Sequence, residues 1–306
     1  MSNPPIEIID LRKVYGDLVA VDDLTLSIEQ GEVFGFLGPN GAGKTTTIKM
    51  LLGLATPTAG RACLLGRAPG HPEAMRRVGF LPEHFRFHPW LTAMDFLDLH
   101  GRLYGMPAAL RRERASYLLE RVSLSDRAST RLSKFSKGML QRIGIAQALL
   151  NQPEVVFLDE PTSGLDPMGR RDVRELIREL REAGVTVFLN SHFLSEVEMV
   201  CDRVAIIKRG RLAHIGTLDQ LAGGVTEVEI RATGLTPDLQ AGLERWGHVK
   251  STTGDRIIMT IQDEANLPAI ADWLIAGGAR LYALSPQRLS LEDLFVRVMG
   301  DEKWAF

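Results

Sequence analysis

Through residues 1–222 the chain alternates short β-branched or apolar runs with longer stretches of helical period. Ile6–Val14, Val19–Ile28, Glu32–Leu37, Arg61–Leu65, Val78–Leu81, Val155–Leu158, Val185–Asn190 and Arg203–Ile207 read as strands. Several are almost continuously apolar, the pattern of strands covered on both faces. Between them, Lys44–Leu54 carries Ile48, Leu51 and Leu52, with Ala55 just beyond, at the spacing of one buried helical face. This alternation predicts an α/β domain on a mostly parallel sheet. Residues 92–150 interrupt it with three helical patterns and no strand, which predicts a helical subdomain inserted over residues 84–150.

A second unit is expected over residues 223–306, after a hinge at Gly223-Gly224. Thr226, Val228 and Ile230 alternate with Glu227, Glu229 and Arg231, the signature of a half-exposed strand. A helix over residues 236–246, a strand through Ile257, Met259 and Ile261, a helix carrying Leu267, Ile270, Ala271 and Leu274, and a strand over Arg280–Leu284 follow. The last helix pairs Ser290 with Asp293 as a capping box and aligns Leu291, Leu294, Phe295 and Val298 in one stripe. This small α+β accessory domain holds no catalytic pattern.

Composition narrows the class. The 306 residues are 45% hydrophobic and 24% charged, enough to bury a core and unlike a disordered chain. Their 36 Lys and Arg against 38 Asp and Glu leave a net charge of -2, so no nucleic-acid partner is expected. The longest run without Asp, Glu, Lys or Arg is the 13 residues Ala183–Ser195, shorter than the roughly 20 a spanning helix needs. The first residues show no signal peptide, and Cys63 and Cys201 give no disulfide framework. The chain is therefore expected in the cytoplasm.

The strongest chemical signal is Gly38-Pro39-Asn40-Gly41-Ala42-Gly43-Lys44-Thr45, between the strand ending at Leu37 and the following helix. It fits the phosphate-binding loop G-x-x-x-x-G-K-[ST] in the right structural context. Loop and helix-start amides turn toward phosphate oxygens, Lys44 reaches the β- and γ-phosphates, Thr45 offers a hydroxyl to Mg²⁺ and Thr46 meets the α-phosphate. The apolar run Val155–Leu158 ends in Asp159 and Glu160. Ligands of parallel sheets bind beyond the carboxyl ends of strands, which puts both acids beside the phosphates. Asp159 is suited to Mg²⁺, and Glu160 to polarising a water for attack on the γ-phosphate.

Together these motifs resemble the ATP-binding subunit of an ABC transporter. Phe135-Ser136-Lys137-Gly138-Met139-Leu140-Gln141-Arg142 is similar to the family signature, usually written L-S-G-G-Q, with Lys137 and Met139 as departures. The resemblance implies that Ser136 and Gly138 contact the γ-phosphate of ATP held by the opposite subunit; Lys137 is read as a solvated lysine, with a further phosphate contact as the alternative. Met139, Ile143, Ala146 and Leu150 are expected to form the buried stripe of the signature helix. Ser163-Gly164-Leu165-Asp166 resembles the D-loop, His192 the switch histidine at the γ-phosphate, and Tyr15 the aromatic residue that stacks on adenine. Glu83 stands where the Q-loop usually has glutamine, and is expected to bind or tune the metal. Phe85-Arg86-Phe87-His88-Pro89-Trp90 matches the stretch that receives a short helix of the membrane partner, and packing of its aromatics in the subdomain core is the alternative.

The resemblance therefore implies an ABC ATPase domain of P-loop NTPase fold that binds ATP and Mg²⁺ and pairs with a second ATPase subunit, expected to be a second copy. Polytopic membrane transporter subunits are the other implied partner, at the cytoplasmic face of the cell membrane. Glu83, the signature variant and the C-terminal L-E-D-L-F point to exporter-type ATPases of the drug, antibiotic or lipid groups, or to those of copper delivery and nitrous-oxide-reductase maturation. An importer ATPase with a C-terminal regulatory domain and a non-transport regulatory module are the alternatives. A chromosome-maintenance ATPase is excluded, because the interval from Lys44 to Asp159 has no room for a long coiled coil.

Overall fold

A computed structural model describes residues 3–85, 87–221, 226–287 and 290–300. Gly223-Gly224 and Arg86 lie outside the described residues. The chain divides into two compact units, Met1–Ile215 and Gly216–Phe306.

In the first unit, β1 (Ile6–Tyr15), β2 (Leu18–Ile28) and β4 (Ala59–Leu64) form an antiparallel sheet in the order β2-β1-β4. A six-stranded sheet runs β5-β6-β7-β3-β8-β9, from β3 (Val33–Leu37), β5 (Val78–Leu81), β6 (Val155–Asp159), β7 (Thr186–Asn190), β8 (Arg203–Lys208) and β9 (Arg211–Gly216). Strands β5, β6, β7, β3 and β8 are parallel. All residues of β3, β6 and β7 are buried, so their apolar runs follow from cover on both faces. Phe36, Phe157 and Phe188 fill the core between the sheets, with centroids 5.1 and 5.2 Å from Phe188 to its two neighbours.

Helix α1 (Lys44–Leu51) starts directly after the β3 loop. It stops before the expected Leu54 because the chain turns left-handed at Gly53, φ 72°. The expected Arg61–Leu65 strand instead spans Ala59–Leu64, since Leu65 enters the left-handed region at φ 51°. The short α2 (Pro72–Met75) leads into β5.

The helical insertion contains α3 (Ala93–Leu103), α4 (Ala108–Arg121) and α5 (Lys137–Ala148). Thr92 caps α3 by accepting from Asp95 N–H at 3.1 Å. Ser136 caps α5 by accepting from Met139 N–H at 3.3 Å. Ile143, Ala146 and Leu150 are buried, whereas Met139 is only half-buried, because the first turn of α5 borders an open cleft. The aromatic stretch before α3 divides in two: Phe85 and Phe87 pack on buried Phe96, while Trp90 stands 66% exposed beside His88. Helix α6 (Pro167–Glu182) follows β6 and is capped by Asp166, and α7 (Leu194–Val200) follows β7.

The second unit begins with α8 (Leu218–Leu221) and continues as β10 (Thr226–Thr233), α9 (Pro237–Gly242), β11 (Gly247–Thr253), β12 (Arg256–Ile261), α10 (Leu267–Ala276) and β13 (Arg280–Gln287). The antiparallel order β11-β12-β10-β13 makes this βαββαβ chain a ferredoxin-like split βαβ unit. Val228, Ile230, Ile257, Met259 and Ile261 pack with Leu239, Ile270 and Leu274 in its core. Intervening positions carry ion pairs such as Arg256–Glu229 at 2.7 Å. In α11 (Leu291–Gly300), Ser290 and Asp293 exchange hydrogen bonds as a capping box, and Leu291 and Leu294 are buried. Among the described residues no helix is long and apolar enough to cross a membrane.

Candidate active site

The parallel sheet delivers the chemically active groups to one end. From β3 the chain passes through Gly38–Gly43 into α1, whose N-terminus has neither a side-chain cap nor an acidic residue in its first turn. Free amides at a helix start attract an anion, and here no carboxylate of that first turn competes for them. A Cβ on Gly38 would lie 2.5 Å from the Ile207 carbonyl oxygen. At Gly43, φ is 103° and a Cβ would lie 2.4 Å from the Ala20 carbonyl oxygen. The loop backbone takes this path only with glycine at both places, and the donor set fits a polyphosphate.

Lys44 Nζ donates to the loop carbonyls Gly38 O at 2.6 Å and Pro39 O at 3.1 Å. Burial lowers its pKa, against the pull of Glu160, Asp159 and Glu83, which raise it. That one ammonium feels all three carboxylates places the phosphate loop, the β6 acids and Glu83 in one electrostatic site. Thr45 is exposed and Thr46 half-buried on the first turn of α1.

Asp159 ends β6 and Glu160 follows it, both almost fully buried. Burial pushes the Asp159 carboxyl up; the Asn190 amide donating to it and the Lys44 charge act in the opposite sense. The Glu83 backbone amide also acts to lower it, while the Glu83 charge raises it further. Burial likewise raises Glu160, opposed by His192, whose Nδ1 stands 2.6 Å from Glu160 Oε2. A desolvated carboxylate of raised basicity is suited to take a proton from water. Thr45, Asp159 and Glu83 carry hard oxygen atoms of the kind Mg²⁺ takes. Among the described residues no three His, Cys, Asp or Glu side chains converge on a metal position.

The structure thus brings together Lys44, Glu83, Asp159, Glu160 and His192. Ser136 and Gly138 stand elsewhere, in a cleft of about 450 Å³ whose walls also include Lys137, Arg142, Gly164 and Asp166. The methylenes of Lys137 lie against Gly164 of the D-loop, so this lysine's stem serves packing. Tyr15, at the end of β1, is 47% exposed, with the Lys13 ammonium 4.7 Å from its ring centre.

Two participants have no role assigned to them from the sequence. Asn190 donates its side-chain amide to Asp159 Oδ1 and receives the Glu160 N–H on its backbone carbonyl at 2.8 Å. Gln141 donates to the carbonyls of Glu160 and Pro161. A polar residue closing an apolar strand was the available sign for Asn190; for Gln141 there was none beyond its place in the signature helix.

A family profile described as "ABC transporter" matches residues 21–163. An uncharacterized ABC transporter ATP-binding protein of Nostoc is 42% identical, over 94% of this chain and 87% of that protein. The linearmycin resistance ATP-binding protein of Bacillus subtilis is 35% identical, over 95% of this chain and 97% of that protein. A Nod factor export ATP-binding protein I of Cupriavidus metallidurans is 37% identical, over 96% of each. A solved ATP-binding subunit of an ABC transporter superposes with TM-score 0.67 at 33% identity, covering 71% of this chain and 92% of that one. A dimeric ATP-binding cassette in a post-hydrolysis state, bound to ADP and Pi, superposes at 0.64 with 26% identity, covering 69% and 98%. With this similarity along nearly its whole length and a phosphate loop facing two buried acids, the chain belongs to the ATP-binding subunits of ABC transporters and is an ATPase.

Proposed function

We propose that this ATPase powers an exporter, through a head-to-tail pair of copies that clamps two ATP molecules and drives separate membrane subunits. The observation that carries the reading is the split of the site: Lys44, Asp159, Glu160 and His192 form one half, while Ser136 and Gly138 open onto a separate cleft. A second copy supplies the missing half. Export is supported by the two relatives named for linearmycin resistance and Nod factor export.

In this reading Tyr15 stacks on adenine. Backbone amides of Gly38, Asn40, Gly41, Ala42 and Gly43 line the phosphates; Pro39 has no N–H and shapes the loop, its carbonyl accepting from Ala42 N–H at 3.1 Å. Lys44 leaves its loop carbonyls for the β- and γ-phosphate oxygens, and Thr46 meets the α-phosphate. Thr45, Asp159 and Glu83 hold Mg²⁺, which neutralises phosphate charge when bound. Glu160 accepts a proton as water oxygen bonds to the γ-phosphorus and the bond to the β-phosphate oxygen breaks. His192 holds the Glu160 carboxylate and touches the γ-phosphate. Ser136 and the Gly138 amide close the site of the partner copy. Trp90, exposed beside His88, is an aromatic anchor of the kind binding hot spots use, and serves the membrane subunit at the cytoplasmic face.

Light scattering of a hydrolysis-deficient variant with ATP, or of the wild-type chain with a non-cleavable analogue, tests the clamp. The mass should double with nucleotide and return to that of one copy without it. A strictly monomeric species with full ATPase activity refutes the shared site.

Glu83 gives a separate prediction. Its side chain is 47% exposed, so its charge contributes at most about 1 kcal/mol to holding a cation. Glu83→Gln should raise the Mg²⁺ concentration for half-maximal ATPase by roughly 2- to 5-fold, with the ATP-saturated rate falling less. An unchanged Mg²⁺ titration removes Glu83 from the metal.

A further inference from the structure

Glu160 sits in the left-handed region at φ 56°. For a residue with a side chain this conformation costs on the order of 1–2 kcal/mol and persists only where surrounding contacts fix it. Two ties are local to the sheet end and the loop. The Glu160 N–H donates to Asn190 O at 2.8 Å, and Ser163 N–H donates to Glu160 O at 3.1 Å. The third comes from a different element. Gln141, in the second turn of α5, donates through Nε2 to Glu160 O and to Pro161 O, each at 3.0 Å. Both partners are carbonyls and only accept, so the amide nitrogen, not its oxygen, must face them. Two successive carbonyls held by one rigid donor fix the orientation of the peptide between them, and with it the direction in which the Glu160 side chain leaves the backbone.

We propose that Gln141 is a positioning residue for ATP hydrolysis: its amide locks the Glu160–Pro161 turn so that the Glu160 carboxylate meets the attacking water. The inference rests on the role assigned to Glu160 above. Gln141 touches no reacting atom; it acts through the backbone of the residue that does. Helix α5 starts at the Ser136 cap, so the element assigned to the partner copy's nucleotide also grips the hydrolytic turn of its own copy.

The test uses the full chain with MgATP. Gln141→Glu keeps the shape but presents oxygen to both carbonyls, and Gln141→Leu removes the donor at similar bulk. Both should lower kcat by about 10- to 100-fold, as a displacement near 1 Å does, with the KM for ATP within about twofold. Gln141→Asn, which keeps the amide on a shorter arm, should fall between them and wild type. In a Glu160→Gln background, adding Gln141→Glu should leave the ATP-driven dimer intact. A wild-type kcat in both Gln141 variants, beside an inactive Glu160→Gln, overturns the positioning role alone. Loss of ATP-driven dimerisation in the double variant also overturns it, by placing Gln141 in the signature contact. If Glu160→Gln itself hydrolyses ATP at the wild-type rate, the reading of Glu160 fails, and the inference with it.

Discussion

Glu160→Gln should slow ATP turnover by about 100- to 10,000-fold while ATP still binds, the range expected for loss of a positioned general base. The argument starts from burial. Glu160 is 7% exposed, and desolvation raises its proton affinity despite the hydrogen bond to His192. Glutamine fills the same space and keeps a hydrogen-bonding oxygen, but it cannot accept a proton. It also removes a negative charge that lies close enough to Lys44 to act on it, and so near the expected phosphates. Binding should therefore hold or tighten, and the ATP-bound pair of copies should accumulate. A purely structural ion pair gives a different pattern: Glu160→Gln would lower the thermal midpoint, and turnover would fall only as far as folded protein is lost. Single-turnover hydrolysis, nucleotide titration and a melting curve on one preparation separate the two cases. Normal single-turnover chemistry in the variant would exclude Glu160 as the base.

The legible and illegible parts of this molecule divide along a physical line. The P-loop, α1 and β6 were readable because their function depends on consecutive residues: glycines where a Cβ would strike Ile207 O or Ala20 O, and an apolar run ending in two acids. Strands β9 and β11 were missed. In β11 most positions are exposed, and Lys250, Ser251, Thr252 and Thr253 give no alternation; the strand exists because it pairs with β12 through its backbone. The capping box at Ser290 and Asp293 was visible because both partners sit within one turn. By contrast, Asn190 and Gln141 reach Asp159 and Glu160 across 31 and 19 residues of sequence, and no local spacing reports that meeting. Glu83 stood out only as a departure from a motif. What connects it to the site is the charge it exerts on Lys44, Asp159 and Glu160, which belongs to the folded arrangement.

Lys44→Ala should weaken ATP binding by about 2–5 kcal/mol, roughly 30- to 5,000-fold in Kd, the cost of removing one partner from a buried charge-assisted contact. The same substitution should change the stability of the nucleotide-free chain by no more than about 1 kcal/mol, because two effects oppose each other. Alanine loses the hydrogen bonds from Nζ to Gly38 O and Pro39 O. It also relieves the burial of an ammonium, the leading cause of the lowered Lys44 pKa. The loop path does not depend on the lysine, since Gly38 and Gly43 are confined by Ile207 O and Ala20 O. A competing account makes Lys44 a brace for its own loop, held there by the two carbonyls. That account requires a large drop in melting temperature without nucleotide and a smaller loss of affinity. Fluorescent-nucleotide titration together with calorimetry of the nucleotide-free variant decides between them. Gly43→Ala supplies the contrast: its Cβ meets backbone at 2.4 Å in a left-handed conformation, so it should lose both stability and binding. If Lys44→Ala behaved like Gly43→Ala, the lysine would be a structural strut and the phosphate contact would have to come from the amides alone.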